Sequence, residues 1–392
     1  MPITVHEIDP NADTIIILTN PCTNFAPWED AASTTSANEE STQEAEETAT
    51  KAPVLEDGAA KELQLGAKEE QDENPLSLPD EPPKEDEDEG IQYMVSSRHL
   101  AIASGYFKSS LAKKGWLEGV PSKVDGKYHL DASAWDPDAF LILLNVLHLH
   151  NRKVPRAISL EMLARIAVLV DYYRCAEAVE VFADVWITKA RTDSPVPTKY
   201  GRDLMLWMLI SWVFKLPSEF TTTTEIAIRQ CRTPTIQDME LPIPKPILDA
   251  IEHKRYQMIN ELVETLHVQL LNYRRDGYSC PQGSDNNFMC SSVLLGALTK
   301  EMDRMGYLSP RPEVPFNGLS FERLCTEVGE MRTPIWHYKP ANRCSDYYSH
   351  SCSFSGKIQS SIEMITGKGV GLDLHTFVDR AGSPRRHDDM RL

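Results

Sequence analysis

The sequence predicts an α+β protein: a small sheet carrying helical hairpins, followed by an all-α carboxy-terminal domain, with a long disordered acidic insertion in the first hairpin. Three observations lead there. The β-branched run 12-ADTIIILTN-20 and the alternating stretch Gln92-Tyr93-Met94-Val95 read as two short strands. From Glu29 to Glu89 between them stand twenty-one acidic residues against four Lys and no Arg. Beyond Asp136, apolar residues recur at helical spacing through most of the chain.

Each element has a local reason. Asn20-Pro21 stops the first strand, and the acidic stretch then becomes a giant loop closing a hairpin, because loop closure costs only ~0.6 kcal/mol more per doubling of length. Poor in aromatic and β-branched residues, that stretch cannot offset its ordering entropy by burial. The segment 95-VSSRHLAIASGYFKSSL-111 gives two short helical turns with Leu100, Ala101 and Phe107 as core, and 127-KYHLDAS-133 gives another strand. Asp136, Pro137 and Asp138 are a helix start, as is Ser159, and Arg174-Cys175 turn the chain into a third helix. His148-Leu149-His150 end the first of these, where imidazolium suits the negative end of the dipole. Pro195 and Pro197 mark a junction. Helices follow over 203–214, 220–231, 247–277 and 290–306, the first apolar on every face and therefore surrounded by the others. The boundaries read as 1–25 with 91–192 for the sheet domain, 26–90 for the insertion, 193–378 for the helical domain and 379–392 for a polar tail.

Seventeen of the net eighteen negative charges lie in the acidic stretch, so the remainder is near neutral and offers no electrostatic footprint for nucleic acid. The longest apolar run, 204-LMLWMLISWVF-214, has eleven residues against the ~20 that span a bilayer, so no membrane partner is expected. The run Thr14–Leu18 is too short and too late for a secretory signal. Eight Cys without a Cys-x-x-Cys pair, and no Asn-x-Ser/Thr sequon, fit a reducing compartment, cytoplasmic or nuclear.

Asp13-Thr14-Ile15-Ile16-Ile17, followed by 93-YMVSSRHLAIASGYFKSSL-111 and 135-WDPDAFLILLNVLHLHNRKVPRAISLEMLARIAVLVDYYRCAEAVEVFADVWI-187, resembles the BTB/POZ domain, in the version found in a large group of uncharacterised fungal proteins. The resemblance covers 12–20 and 91–191. It implies the BTB/POZ fold and a protein-interaction role in which the 95–111 segment does no chemistry. Two departures bear on partners. Where the family commonly carries a His at the strand end this chain has Ser96, while Asp13 is kept, which half alters a pocket that some members use for co-repressors. Only twelve residues precede the first expected strand, too few for the extra helix and strand by which many members swap into dimers. Adaptors of cullin ubiquitin ligases carry an apolar-x-Glu element near this point, and Trp116-Leu117-Glu118 stands in about that place. Two readings of it stand open: a docking element for a cullin scaffold, or a core Trp116 beside a solvated Glu118.

The sharpest chemical candidate is a metal. Cys280 and Cys290 flank a polar loop, and His350-Ser351-Cys352 adds an imidazole and a third sulfur, a set suited to closed tetrahedral zinc. Cys344 and His337 are substitutes for any of the four. The spacing matches no known finger, so ordinary packing of buried cysteines is the competing reading. The glycines of 367-GKGVG-371 read as a turn, and no hydrolase, zincin or dinucleotide motif is present. The expected function is a non-catalytic interaction module, as ligase adaptor or regulatory scaffold, with proteins or a second copy as partner. The alternative is an enzyme whose active site in the helical domain has no recognisable motif.

Overall fold

The structure, a computed structural model, describes residues 4–29, 90–112, 119–339, 347–367 and 369–381. Its first half is built on a four-stranded mixed sheet. The strands are β1 (Thr4–Glu7), β2 (Thr14–Thr19), β3 (Ile91–Val95) and β4 (Tyr128–Ser133), in the spatial order β1-β3-β2-β4. β2 and β3 run antiparallel, with Thr14 opposite Val95 and Leu18 opposite Ile91, so the acidic stretch does connect a hairpin. β4 lies parallel to β2 on the other side.

Period-two patterning sets the buried face. Ile16 and Leu18 of β2, Tyr93 and Val95 of β3, and Leu130 and Ala132 of β4 all point into the core. There Tyr93 meets the edge of Phe140 at 5.1 Å and donates its hydroxyl hydrogen to the Pro137 carbonyl.

β1 corrects the expectation that no strand precedes β2. It pairs parallel to β3, from Thr4 opposite Ile91 to Glu7 opposite Met94. Its four residues are mostly exposed, so they carry no apolar alternation for a sequence to betray.

The expected helical hairpin forms as α1 (Ser97–Ala103) and α2 (Gly105–Ser110). Ser104 breaks the chain between them, and its side chain accepts from Phe107 N to cap α2 and donates to the Tyr173 carbonyl. Then come α3 (Pro137–Leu147), α4 (Leu160–Tyr173) and α5 (Ala176–Asp193). Asp136 and Ser159 cap α3 and α4 through Ala139 N and Met162 N. Arg174 adopts the left-handed conformation that separates α4 from α5. Phe107 stacks on Tyr173 at 4.7 Å, fastening the hairpin to α4.

The carboxy-terminal helices are α6 (Arg202–Val213), α7 (Pro217–Gln230), α8 (Lys245–Arg274), α9 (Asn287–Arg304), α10 (Phe321–Gly329), α11 (Ser355–Thr366) and α12 (His375–Ala381). A two-stranded ribbon, β5 (Trp336–Tyr338) with β6 (Tyr348–His350), precedes α11. Every residue of α6 from Leu204 to Val213 is buried, between α4 on one side and α7 on the other. No helix among the described residues is long and apolar enough to cross a membrane.

Two boundaries differ from the sequence reading. Ala26 is buried, and the Phe25 and Ala26 carbonyls accept from Arg202 while Trp28 meets the edge of Tyr200. Residues up to Trp28 therefore belong to the packed part and not to the insertion. At the other end α12 runs to Ala381, past the expected start of the polar tail at 379.

Candidate metal centre

Four ligand-type side chains from two distant stretches of sequence meet on the carboxy-terminal helices. Cys280 lies in the loop after α8, Cys290 in the first turn of α9, His350 at the end of β6 and Cys352 two residues on. One donor atom from each lies within 4.8 Å of all the others. Cys280 Sγ stands 3.5 Å from His350 Nε2 and 3.8 Å from Cys352 Sγ. Cys280, Cys290 and His350 are buried and Cys352 is half-buried.

Local chemistry explains the meeting. Gly283 takes a φ of +126°, open to glycine and costly for other residues, and its N–H returns to the Cys280 carbonyl. This folds the chain back so that Cys280 N donates to Asn287 Oδ1, bringing Cys280 beside the start of α9. The Gln282 side-chain amide bonds both the hydroxyl and the N–H of Ser351, tying this loop to the residue between the other two ligands. In the ribbon, Trp336 sits opposite His350 and stacks on it at 4.2 Å, which fixes the imidazole plane. Buried Glu301 of α9 holds Arg332 at 2.6 Å and so anchors the approach to β5 independently of the four ligands.

Burial favours the neutral forms of three of these side chains. Burial pushes the Cys352 thiol up to about 12 and raises the Cys290 thiol, while it lowers His350. His350 Nδ1 is buried without a hydrogen-bond partner, which leaves Nε2 as the ring atom aimed at the sulfurs. Two of the three sulfurs have an outside hydrogen-bond partner. Tyr278 Oη lies 3.2 Å from Cys290 Sγ, and Gln282 N donates to Cys280 Sγ at 3.4 Å. This Cys3His cluster can hold a metal ion. Four protein donors would fill a tetrahedral coordination sphere.

Of the two substitutes, His337 is exposed on β5 opposite Ser349 and takes no part in the cluster, and Cys344 lies outside the described residues. The sequence reading missed Tyr278, Gln282 and Trp336. Each sits within two residues of a ligand or opposite one in the ribbon, but their types advertise no metal chemistry.

The proposed partner-binding residues divide. Trp116 and Glu118 lie outside the described residues. Asp13 and Ser96 both lie at the start of α1, where Asp13 bonds Ser97 and not Ser96. Ser96 occupies the N-cap position without a side-chain cap bond, and Asp13, the residue before β2, supplies one. Its Oδ1 accepts from Ser97 N at 2.7 Å and its Oδ2 from Ser97 Oγ at 2.6 Å. Beneath them Ser96 N donates to His148 Nε2 at 3.0 Å, which obliges Nδ1 to carry the hydrogen that faces the Leu144 carbonyl. Burial lowers the His148 pKa. His148 is thus a buried neutral imidazole, which corrects the expectation of an imidazolium at the helix end.

No family model, curated protein or solved structure matches this chain.

Proposed function

We propose that this chain is a non-catalytic protein-interaction module, in which a BTB-type domain is joined to a helical region stapled by a structural zinc ion. The observation that supports the first part is the element order. Strands β2 and β3, the α1–α2 hairpin, β4 and then α3, α4 and α5 follow in the order read from the sequence, with β2 and β3 antiparallel and β4 parallel to β2.

Zinc is favoured by spacing and donor type. Bonds of ~2.3 Å to sulfur and ~2.0 Å to nitrogen on a tetrahedron place two sulfurs ~3.8 Å apart and sulfur from nitrogen ~3.5 Å. Those are the separations of Cys280 Sγ from Cys352 Sγ and from His350 Nε2, at 3.8 Å and 3.5 Å. Three thiolates with one imidazole suit zinc over the hard cations. Bound there, zinc would supply no reaction; it would cross-link the α8–α9 corner to the β5–β6 ribbon and replace three thiol protons.

The enzyme alternative finds less support. A cleft of about 400 Å³ is lined by Glu264, His267, Leu270, Arg274 and Arg311. Its Glu264 is paired with Arg311 at 2.6 Å, and a His267 ring nitrogen is bonded to the Tyr307 carbonyl, so each of these groups already has a partner within the protein.

Binding of the purified chain to a purified cullin scaffold, followed by size-exclusion chromatography, tests the partner. The adaptor form of the proposal expects co-elution, and expects Trp116→Ala with Glu118→Lys to abolish it at unchanged circular dichroism. If that pair mainly destabilises the protein, by the ~3–5 kcal/mol typical of truncating a buried aromatic, Trp116 is core and the adaptor form fails. A wild-type chain that binds no cullin and sediments as a monomer removes both proposed partners. Metal analysis of the purified chain tests the staple, with one zinc per chain expected.

A further inference from the structure

Within the Cys3His cluster the three sulfurs differ in ways a merely structural role does not need. Cys290 is fully buried and bonded to the Tyr278 hydroxyl. Cys280 is 5 % exposed and accepts the Gln282 N–H. Cys352 is the most open of the three, and among the described residues no N–H or O–H donates to its sulfur. A hydrogen bond to a metal-bound thiolate withdraws charge and blunts its nucleophilicity. The thiolate without one, at the edge of the site, is therefore the one an electrophile reaches first and finds most reactive.

We propose that Cys352 is an oxidation site, and that hydroperoxides convert the zinc cross-link into a Cys280–Cys352 disulfide with release of the metal. The inference rests on the zinc reading given above. The Cys352 thiolate attacks one oxygen of hydrogen peroxide, the O–O bond breaks and hydroxide leaves, giving a sulfenic acid. The Cys280 thiolate then attacks that sulfur, the S–O bond breaks and a second hydroxide leaves. Two thiolates and one peroxide become one disulfide and two hydroxides. The peroxide takes two electrons from sulfur, and Zn²⁺ departs without redox change because two of its four ligands are gone.

Cys290 Sγ also stands within 4.8 Å of Cys352 Sγ, but it is bonded to the Tyr278 hydroxyl, which leaves Cys280 as the proposed partner. Cys280 Sγ lies 3.8 Å from Cys352 Sγ and already faces it across the site, and the Gln282–Ser351 bonds hold the two loops together during the exchange. A disulfide needs the sulfurs to close from 3.8 Å to ~2.0 Å. The outcome is a trade of links. The loop after α8 stays fastened to the segment before α11, while Cys290 on α9 and His350 on β6 are let go.

The test uses the full zinc-loaded chain with about one equivalent of hydrogen peroxide. Zinc release is followed with a chromogenic chelator, and the new bond is located by differential alkylation and peptide mass spectrometry. Release should track formation of the Cys280–Cys352 disulfide, and a thiol reductant with added zinc should restore the starting state. Tyr278→Phe keeps all four ligands and removes the donor at Cys290, so disulfides containing Cys290 should rise several-fold in that variant. If zinc is present but retained under peroxide, or leaves with Cys290 in the dominant disulfide of the wild type, the inference is overturned and the zinc reading stands. If the purified chain carries no zinc and takes none up, the zinc reading fails and takes this inference with it.

Discussion

Removing the Asp13 carboxylate should loosen the start of the helical hairpin by an amount the geometry sets. α1 opens without a bond from its own cap residue, and Asp13 gives the missing acceptor through two short contacts to Ser97, while Thr14 Oγ1 donates to it at 3.1 Å. A lost N-cap costs ~1 kcal/mol and a hydrogen bond to a charged group ~1.5–3 kcal/mol. Because the site is half-exposed and water can replace part of the loss, Asp13→Ala should cost about 2 kcal/mol. Asp13→Asn keeps one acceptor and should cost about half as much. Urea unfolding monitored by tryptophan fluorescence measures both.

The pH dependence of the same site follows from its charge. Burial pushes the Asp13 carboxyl up, but the bonds from the Ser97 hydroxyl, the Ser97 N–H and the Thr14 hydroxyl outweigh it and hold the pKa below the ordinary carboxylate value. A lowered folded pKa means the contribution is complete above the unfolded value of ~3.9 and is lost as pH falls below it through the folded value. Asp13→Asn should remove that acid-range slope. A cost under about 0.5 kcal/mol for Asp13→Ala, or an unchanged acid slope in Asp13→Asn, would refute the capping argument.

Further outcomes are expected. Replacing residues 30–89 by a short Gly-Ser linker should leave thermal unfolding nearly unchanged, since shortening a long loop changes its closure cost by only ~1–2 kcal/mol, whereas a deletion extended back to residue 26 should destabilise by removing Ala26 and Trp28 from their packing. A Cβ on Gly371 would stand 2.3 Å from the Thr221 carbonyl oxygen, so Gly371→Ala should release the segment leading into α12 and speed hydrogen exchange there, with an overall cost of ~1–3 kcal/mol. His148 is held neutral, with its pKa lowered chiefly by burial, so its share of stability should be present above the unfolded value of ~6.5 and fall away as pH drops below it. His148→Gln should shrink the difference in urea midpoint between about pH 7 and pH 5.

What the sequence made legible was whatever has a strong local signature. Asp136-Pro137 and Ser159 announced their helices because a cap is a contact between residues three apart. The all-apolar run of α6 announced its burial because no solvent-facing stripe exists along it. The four residues of the Cys3His cluster were readable because Cys and His are rare and chemically distinct. β1, the β5–β6 ribbon and α10 went unread because each is short, α11 because it buries only Ile358 and Ile365, and the ribbon owes its place to distant partners such as Glu301 and Gln282. His148 was assigned the wrong charge state because its position at a helix end was visible and its bond to Ser96 N, fifty-two residues away, was not. The start of the insertion was placed too early because Ala26 and Trp28 look like loop composition until Arg202 and Tyr200 arrive to receive them.

The pairing of β2 has a consequence for synthesis. Both of its neighbours, β3 and β4, come later in the chain, the nearer one starting at Ile91, whereas β2 ends at Thr19. At ~5–20 residues per second a ribosome takes roughly 4–14 s to make the intervening stretch, and for that interval Ile15-Ile16-Ile17-Leu18 is a β-branched strand with no mate. Neighbouring chains on one messenger that are all within this window carry the same unpaired segment. The acidic residues emerging directly behind it give each nascent chain the same sign of charge, so copies repel one another until the proper partner strand is translated.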